Sequence, residues 1–398
     1  MSEWQKVKFL DVVHLNPRIS LEKGVEYPFV EMSNVVPCAR KPEKDVFKKY
    51  LGEGTKFEQG DTIVARIEPC LQNGKGFQCS YKQGFGSTEF LVFRPVNIND
   101  LDCDFLYYYM GQQSIREAMA KTMVGASGRQ RVNNKVFNDL QINLPPLSTQ
   151  HRIANILSRY DSLIENYQKQ IKLLEEAARR LYKEWFIDLR FPGHENTKIV
   201  DGVPEGWEKK KISDVCETVG GGTPSTKVPA YYKGGRIKWV TPTDITRNNC
   251  ICLLDTDKKI TEEGLRNSST KMVPAGTILM TSRASVGYFG IADFEVCTNQ
   301  GFISCIPIPN MQMYLLFNLM SRVDEIRKKA GGSTYLEISK SVFRNFDIVC
   351  PSEIILLQFQ DKASLVLKKE KTLSLQLRLL AEARDRLLPK LMSGEITV

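Results

Sequence analysis

The sequence predicts an α+β protein in which two copies of a small mixed domain are separated by an antiparallel pair of long α-helices. Three observations predict this fold. A long stretch without proline or glycine carries apolar residues at heptad spacing, a second copy of that stretch follows near the end of the sequence, and the segments before the two copies share residues at matching positions. The sequence therefore contains an internal repeat, in which each copy consists of one domain followed by one long helix. If the two apolar stripes pack together, the helices must run antiparallel, which gives the protein a pseudo-two-fold axis.

The first domain, predicted over residues 1–145, contains short segments of both strand and helix character. We expect a strand around Thr62–Arg66 and a helix within residues 101–123, where apolar residues recur at helical spacing. A Gly-Ser turn and a further strand then lead into Pro145 and Pro146, which end the domain.

The first long helix, predicted over residues 146–191, begins after this double proline, and Ser148 or Thr149 can cap its start. Apolar residues recur at every seventh position in three adjoining columns, which predicts a broad apolar stripe. The columns are Ile153, Tyr160, Tyr167, Leu174 and Leu181; Leu157, Ile164, Ile171, Ala178 and Trp185; and Ile156, Leu163, Gln170 and Ala177. A helix of about 37 residues is roughly 55 Å long. This exceeds one small domain, so we expect the helix to act as a spacer.

A linker rich in proline, glycine and polar residues is predicted over residues 192–206, and the second domain follows at 207–350. The second domain repeats the order of strand, helix and Gly-Ser turn found in the first. It alone carries the loops VGGGTPSTK at 219–227 and WVTPTDITRNN at 239–249. A shared scaffold with different loops suits two similar domains that bind different targets.

The second long helix, predicted within residues 351–398, repeats the first with a shift of 206 positions. The match is imperfect, because Glu370 occupies an apolar position and Pro389 should break or kink the last turn. Gln170 and Gln376 are equivalent, and a buried pair of glutamines could fix the register of the two helices. A solvent-facing position for both explains them equally well.

The composition is that of an ordinary globular protein with a moderately basic charge. A formal net charge of +9 and a pI of about 8.9 permit a polyanionic partner without requiring one, because the basic residues are spread along the chain. The sequence has no signal-peptide core and no apolar run near the length of a membrane span, and its ten cysteines include no CxxC pair. We therefore expect a cytoplasmic protein with reduced thiols and no membrane partner.

No group of residues in the sequence matches a motif for catalysis or metal binding. The segment GGGTPSTK lacks the second glycine before lysine that a phosphate-binding P-loop requires. The Asn- or Asp-Pro-Pro-aromatic tetrapeptide expected of an amino-methyltransferase is missing, and His14, His151 and His194 are isolated from one another. We therefore expect no catalytic residue, no metal site and no cofactor-binding site in this chain.

Five segments spread over nearly the whole chain form a specific combination, although each alone would be weak. They are GDTIVARIEPCLQNGK at 60–75, LPPLSTQHRIANIL at 144–157, LYKEWFIDLRFPGHE at 181–195, VPEGWE at 203–208 and RLLPKLMSGEI at 386–396. In this combination the chain closely resembles the DNA specificity subunit of type I restriction–modification systems. The resemblance implies two target-recognition domains that each read one half of a split site in double-stranded DNA, with the paired helices setting the gap.

The same resemblance implies partner proteins. Modification subunits that bind S-adenosylmethionine and methylate adenine would dock on the paired helices, and restriction subunits would add the ATP-dependent nuclease. S-adenosylmethionine, ATP and magnesium are therefore expected on the partner subunits and not on this chain. The exposed flank of the long helices is the surface we expect the partners to use.

The Gly-Ser turns are the first candidates for DNA contact. In the first domain the turn offers backbone amides, a hydroxyl and guanidinium groups, which suit phosphates and guanine edges. Its candidate residues are Ser127, Arg129, Gln130 and Arg131, and the counterparts in the second domain are Ser333 and Tyr335. A purely structural turn between helix and strand explains the glycines equally well.

Further candidates lie at predicted strand ends or in loops, where binding residues usually project. They are Arg66, Asn73, Lys75, Thr243, Arg247, Ser282 and Arg283. For each one singly, an ordinary solvated loop residue is the simpler interpretation.

Two other functions remain open from the residues themselves. An enzyme with an unrecognised active site would methylate or cleave DNA as the isolated chain. A protein-binding scaffold that uses its duplicated domains as adaptors would show no DNA affinity even with its partners present. The resemblance favours the DNA-recognition subunit over both.

Overall fold

The α+β class predicted from the sequence is confirmed by the structure, a computed structural model that describes residues 4–126, 128–248, 250–332 and 335–398. Two compact units divide the chain. Unit 1 comprises Met1–Glu165 together with Leu379–Val398, and unit 2 comprises Asn166–Arg378. Each unit thus contains one mixed domain and parts of both long helices.

Unit 1 contains ten strands, in the part of the chain that the structure describes, and four short helices before the first long one. The strands are β1 Gln5–Lys8, β2 Val13–Leu15, β3 Glu26–Val30, β4 Phe47–Lys49, β5 Thr55–Glu58, β6 Thr62–Ala65, β7 Gly76–Gln78, β8 Gln83–Gly86, β9 Phe90–Pro95 and β10 Gln141–Leu144. The helices are α1 Phe9–Val12, α2 Cys103–Met110, α3 Gln113–Ala120, α4 Val136–Asp139 and α5 Leu147–Tyr182, of which the part after Glu165 belongs to unit 2.

The sheets of unit 1 follow from the apolar character of their central strands. One sheet has the order β2-β9-β6-β7, a second has the order β4-β3-β8-β5, and β1 pairs with β10. All four residues of β6 are buried, as a strand at the centre of a packed sheet requires. The helix predicted within 101–123 is present as α2 and α3. Asp102 caps α2 by accepting a 2.8 Å hydrogen bond from the Phe105 amide.

Unit 2 repeats this arrangement with additions. Its strands are β11 Ile199–Val200, β12 Val203–Pro204, β13 Glu208–Lys211, β14 Cys216–Gly220, β15 Ile237–Val240, β16 Cys252–Leu253, β17 Lys258–Ile260, β18 Met272–Val273, β19 Ile278–Thr281, β20 Phe289–Ala292, β21 Val296–Thr298, β22 Phe302–Pro307 and β23 Asp347–Cys350. Its helices are α6 Ile212–Val215, α7 Pro242–Thr246, α8 Glu262–Arg266, α9 Gln312–Ser321, α10 Val323–Lys329, α11 Lys340–Arg344 and α12 Glu353–Ser393, of which the end after Arg378 belongs to unit 1.

Strand register confirms the repeat. In unit 1, β2 and β6 both pair with β9, whereas in unit 2 β14 and β19 both pair with β22. The strands also match residue by residue, because Val13 pairs with Pro95 at the end of β9 as Cys216 pairs with Pro307 at the end of β22. The parallel pair β3–β8 likewise corresponds to β15–β21. Unit 2 differs in carrying β16 as a fifth strand of its larger sheet.

The long helices α5 and α12 pack together and run antiparallel within each unit. In unit 1, Ile153 and Leu157 share a core with Leu391 and Met392. In unit 2, Ala178 and Tyr182 share a core with Phe359 and Ala363, and the rings of Tyr182 and Phe359 lie 6.1 Å apart. In both units residue numbers rise along one helix while they fall along the other, which confirms the predicted direction.

The apolar stripe of α5 is narrower than the three columns predict. The column Leu157, Ile164, Ile171, Ala178 and Trp185 is buried throughout. In the third column, by contrast, the Leu163 side chain is 42% exposed, so that column lies at the edge of the interface. On α12 the positions equivalent to the buried column include Glu370 and Arg384. The charged residues that replace apolar ones in the second helix therefore lie inside the helix interface.

Three details of the helices differ from the sequence interpretation. Helix α5 starts at Leu147, so Ser148 and Thr149 lie inside its first turn and do not cap it. The amide of Thr149 already donates to the Pro146 carbonyl at 2.8 Å. Helix α12 continues through Pro389 to Ser393, so the proline does not end the helix there.

The glutamines do not form a buried pair. Gln170 donates to the Asn166 side chain of its own helix at 3.0 Å, and Gln376 is exposed. Among the helices that the structure describes, none has both the length and the apolar character that crossing a membrane would need.

Candidate nucleic-acid interface

In unit 1 the end of β6 and the Gly-Ser turn lie side by side. Arg66 follows β6, its amide donates to the Glu89 carbonyl, and its carbonyl accepts from the Val132 amide, both at 2.9 Å. Arg131 forms isolated antiparallel bridges to both Val124 and the residue after Arg66. Arg66 is therefore a neighbour of Gln130 and Arg131 in the fold, although it lies far before these two adjacent residues in the sequence.

Arg131 is already engaged by a carboxylate. Its guanidinium donates to both oxygens of Glu89, with Nε at 3.0 and 2.8 Å. This hydrogen bond lowers the pKa of Glu89 and raises that of Arg131. A DNA contact by Arg131 would have to share or replace this partner, and the role of Arg131 in binding stays a prediction.

The tip of the same turn is shaped by glycine. Gly125 and Gly128 have φ angles of 123° and 77°, in the left-handed region that favours glycine. The turn therefore requires these glycines for its backbone alone, as the structural interpretation of the motif states. Arg129 is exposed on the turn and Gln130 is half-buried beside it. Ser127 lies outside the described residues.

Beside Arg66 the structure contains a cleft that the sequence did not indicate. Its volume is about 530 Å³, and none of the described residues that line it is acidic. Asn16 and Arg18 come from the loop after β2, Lys56 comes from β5, and Arg66 lies at the end of β6. The remaining lining residues are Pro17, Ile19, Gly54, Thr55, Thr88, Phe90 and Val92.

Asn73 and Lys75 do not belong to this cleft. Lys75 donates to the Met32 carbonyl at 2.8 Å and lines a different cavity of about 330 Å³, together with Asp161 and Arg384. Asn73 is exposed in the turn that precedes β7. Their prediction as DNA contacts is untested, but the structure separates them from the cleft lined by Arg66.

Unit 2 presents the corresponding surface at the end of β19. The Ser282 amide donates to the Gly301 carbonyl at 2.7 Å and its carbonyl accepts from the Ile338 amide at 3.0 Å, which is the pattern of Arg66 in unit 1. Arg283 bridges to Glu337 in the backbone, and their side chains lie 3.6 Å apart. Ser282 is only 3% exposed, whereas Tyr335 is 60% exposed in the adjacent loop. Ser333 lies outside the described residues.

The two loops found only in unit 2 pack on this surface. A Cβ atom on Gly221 would lie 2.0 Å from the Asn299 carbonyl oxygen, so the glycines of VGGGTPSTK serve close backbone packing. Thr223 donates a hydrogen bond to the Gln300 side chain, and both residues are exposed. Neither residue was predicted from the sequence. Their signal would have been a hydroxyl and an amide in loops next to strand ends.

Thr243 lies in the first turn of α7, next to the same surface, and Arg247 directly follows this helix. A Cβ atom on Gly301 would lie 3.2 Å from the Pro242 side chain, so the helix abuts the loop that contacts Ser282. Arg247 ends the helix, is exposed, and donates its backbone amide to the Thr243 carbonyl at 3.1 Å. The structure thus brings Thr243, Ser282 and Tyr335 to one side of unit 2.

Buried ionisable groups hold each domain on its helix pair. In unit 1, Asp161 accepts from the Tyr108 hydroxyl at 2.5 Å and from Arg384 at 2.7 Å, and Arg384 also donates to the Cys38 carbonyl at 3.0 Å. Burial alone would lower the pKa of Arg384, but the hydrogen bond and charge of Asp161 outweigh it and raise the pKa.

In unit 2 the ionisable groups between the domain and the helix pair are two carboxyl groups, at helix positions that do not correspond to Asp161 and Arg384. Glu175 accepts from the Ile251 amide at 3.0 Å, and Glu370 accepts from the Cys252 amide at 3.1 Å. Burial and the neighbouring Glu175 raise the pKa of Glu370 to about 7. The carboxyl group at this position of the apolar column therefore binds the backbone at the first residue of β16.

The described ranges contain no group of three or more His, Cys, Asp or Glu residues arranged to hold a metal ion. What the surfaces do offer is amides, hydroxyls and guanidiniums at strand ends and in loops. Such groups bind phosphates and base edges.

A family model for the type I restriction modification DNA specificity domain matches residues 1–176 and 204–365 of the chain. The chain belongs to this family. It carries the specificity domain twice, in agreement with the repeat seen in its strand register.

Individual relatives agree with the family assignment. The chain is 26% identical to the HindI specificity subunit of Haemophilus influenzae over the full length of both proteins. It is 39% identical over 153 residues to the MjaIX specificity subunit of Methanocaldococcus jannaschii, a match that covers 38% of this chain and 35% of that protein. The crystal structure of a type I restriction–modification S subunit from M. genitalium superposes with a TM-score of 0.55 at 16% identity, covering 98% of this chain and 96% of that one, and so shares the fold.

Proposed function

We propose that this chain is the DNA-recognition subunit of a type I restriction–modification complex and that each unit reads one half of a split site. The observation that carries this proposal is the pair of equivalent surfaces at the ends of β6 and β19. Their backbones match, while their side chains and loops differ, as two readers of different short sequences require. Each reader needs only a few base contacts, worth about 1–3 kcal/mol apiece.

The chain acts in this proposal without catalytic residues of its own. Methylation and cleavage belong to the modification and restriction subunits, which bind S-adenosylmethionine, ATP and magnesium. The long helices provide the docking surface for the modification subunits and set the spacing of the half-sites. Supporting this, both helices expose large apolar side chains of the kind that protein interfaces bury, among them Leu163, Leu173, Leu365 and Leu379.

Mapping of methylated adenines in DNA from cells that carry the intact system tests this function. The expected result is one motif of two short defined halves separated by a fixed number of undefined base pairs. A continuous motif, or no methylation that depends on this chain, would contradict the proposal.

Two additional outcomes distinguish the rival functions. Methylation or cleavage by the isolated chain would identify an enzyme in its own right. Absence of DNA affinity in the complete complex, with its modification subunits bound, would favour a scaffold for proteins. Either result would show which part of the proposal fails.

A further inference from the structure

We propose that the cleft of unit 1 between the loop after β2, strand β5 and the end of β6 is a binding site for the phosphodiester backbone of DNA. This proposal rests on the function proposed above. It adds that the two units differ in how they bind the DNA backbone. Arg18, Lys56 and Arg66 are its cations, and Asn16, Thr55 and Thr88 add polar groups.

Shape favours the backbone over base edges. The cleft is concave, and the phosphodiester chain is the convex ridge of the double helix, whereas base edges lie recessed in the grooves and are reached by protruding elements. Three cations line the cleft, and the lining that the structure describes includes no carboxylate. The carboxylate of Glu89, whose backbone carbonyl accepts from the Arg66 amide, lies close enough to interact with the Arg66 charge, but both of its oxygens are hydrogen-bonded by Arg131.

Arg66 is the half-buried arginine of unit 1 that the described fold leaves least satisfied. Its Nη2 atom donates to the Val132 carbonyl at 3.4 Å, and its buried Nε has no hydrogen-bond acceptor in the described residues. The other half-buried arginines of the unit are bound to carboxylates or, in one case, a backbone carbonyl, and are Arg40, Arg94, Arg116 and Arg384. A guanidinium that no carboxylate of the described residues hydrogen-bonds, at a basic cleft, suits a phosphate, which it can bind in bidentate geometry.

Unit 2 has no equivalent of these cations. Because Cys216 of β14 matches Val13 of β2, the position of Arg18 corresponds to Gly221. The matching registers of β6 and β19 place Met272 at the position of Lys56 and Ser282 at that of Arg66. All three positive charges of the cleft are thus absent from the equivalent places in unit 2. Unit 1 therefore places three cations where unit 2 has none at the same positions, although the Lys340 ammonium of unit 2 lies beside Gly220, the counterpart of Pro17.

The test uses the full chain in complex with its modification subunits and a duplex that carries the methylated split site. Arg66→Gln, Arg18→Gln and Lys56→Met each remove one cation, and Arg66→Lys keeps the charge. Lys6→Met is the matched control, since Lys6 is exposed on β1 and does not line the cleft. Dissociation constants are measured from 50 to 200 mM salt for the cognate duplex and for a duplex with the unit 1 half-site replaced.

Each variant that removes a cation should make the negative slope of log affinity against log salt shallower by about 0.9. This change corresponds to about an eightfold loss of affinity at 0.1 M salt. The loss should be the same factor on both duplexes, while Arg66→Lys and Lys6→Met keep the wild-type slope. Arg18 is exposed, so its variant separates DNA binding from folding.

Two results would overturn the cleft assignment. Unchanged slopes and affinities would show that DNA does not enter the cleft. An unchanged slope with reduced discrimination between the two duplexes would assign the cleft to base reading. If the wild-type complex itself did not prefer the split site, the proposed function would fail independently of the cleft.

Discussion

Units 1 and 2 share strand order and register, yet they fasten their domains to the long helices with different chemistry. Unit 1 buries an opposite-charge pair, Asp161 and Arg384, that also binds Tyr108 and a loop carbonyl. Unit 2 instead places two carboxyl groups there, Glu175 and Glu370, which accept from backbone amides at the start of β16. The difference teaches that two copies of one scaffold can keep the same backbone while each attaches its domain to the long helices through ionisable groups at different helix positions. The two junctions should therefore respond differently to mutation and to pH.

Removing one partner of the unit 1 pair should have the largest effect. Arg384→Met leaves the Asp161 carboxylate, whose side chain is only 5% exposed, without its counter-charge. We expect the free energy of unfolding to fall by about 3–5 kcal/mol, measured by urea denaturation. The double variant Asp161→Leu, Arg384→Met should recover most of this loss, and Arg386→Met, at an exposed position on the same helix, should change little. A single variant as stable as the wild type would show that the pair does not hold the junction.

The unit 2 junction should instead depend on pH. Because the pKa of Glu370 is raised to about 7, the folded chain retains a proton that the unfolded chain releases near pH 4.3. Stability from this group is therefore present at low pH and is lost, by a few kcal/mol, as the pH rises from about 4.3 to about 7.

Glu370→Gln keeps a neutral acceptor for the Cys252 amide and removes the titration. It should match the wild type near pH 4.5 and exceed it in unfolding free energy at pH 8, as urea denaturation at both pH values will show. Asp361→Asn, at an exposed position on the same helix, is the control. Parallel pH profiles for Glu370→Gln and the wild type would contradict the assignment.

The smallest expected effects compare equivalent loop positions. Gly221→Ala places a Cβ atom against the Asn299 carbonyl and should destabilise the chain by about 1–3 kcal/mol. Arg18→Ala, at the equivalent exposed position of unit 1, should stay within about 0.5 kcal/mol of the wild type. Thermal unfolding of both variants measures the difference. Equal destabilisation would show that the two loops share the same packing.

Heptad spacing and the internal repeat were sufficient to predict the two long helices, because both signals are local or directly comparable along the chain. The same spacing did not reveal the helix interface in detail. Glu370 is a mismatch in an apolar column when read from sequence, yet it is 1% exposed and bound to a backbone amide. Only the fold brings that amide to it. Ser148 and Thr149 failed as caps because the double proline starts the helix earlier.

The candidate site was predicted in part for a similar reason. Arg66 and Arg131 lie at a strand end and in a turn, which are recognisable positions, and the structure brings them together. Arg18 and Lys56 are far apart in the sequence, with strands β3 and β4 between them. They line one cleft with Arg66 only because strands that are distant in sequence pair with each other. No local sequence pattern indicates that these three residues are close in the fold.

Unit 1 is assembled from two distant pieces of chain, Met1–Glu165 and Leu379–Val398. Leu391 and Met392 are buried in its core, where they share a cluster with Phe9 and Leu157. During synthesis, residues 379–398 emerge from the ribosome after the whole of unit 2. The N-terminal domain of unit 1 is thus translated first, but its core is completed last. A chain that ended before Leu391 would lack the helix residues that complete this core.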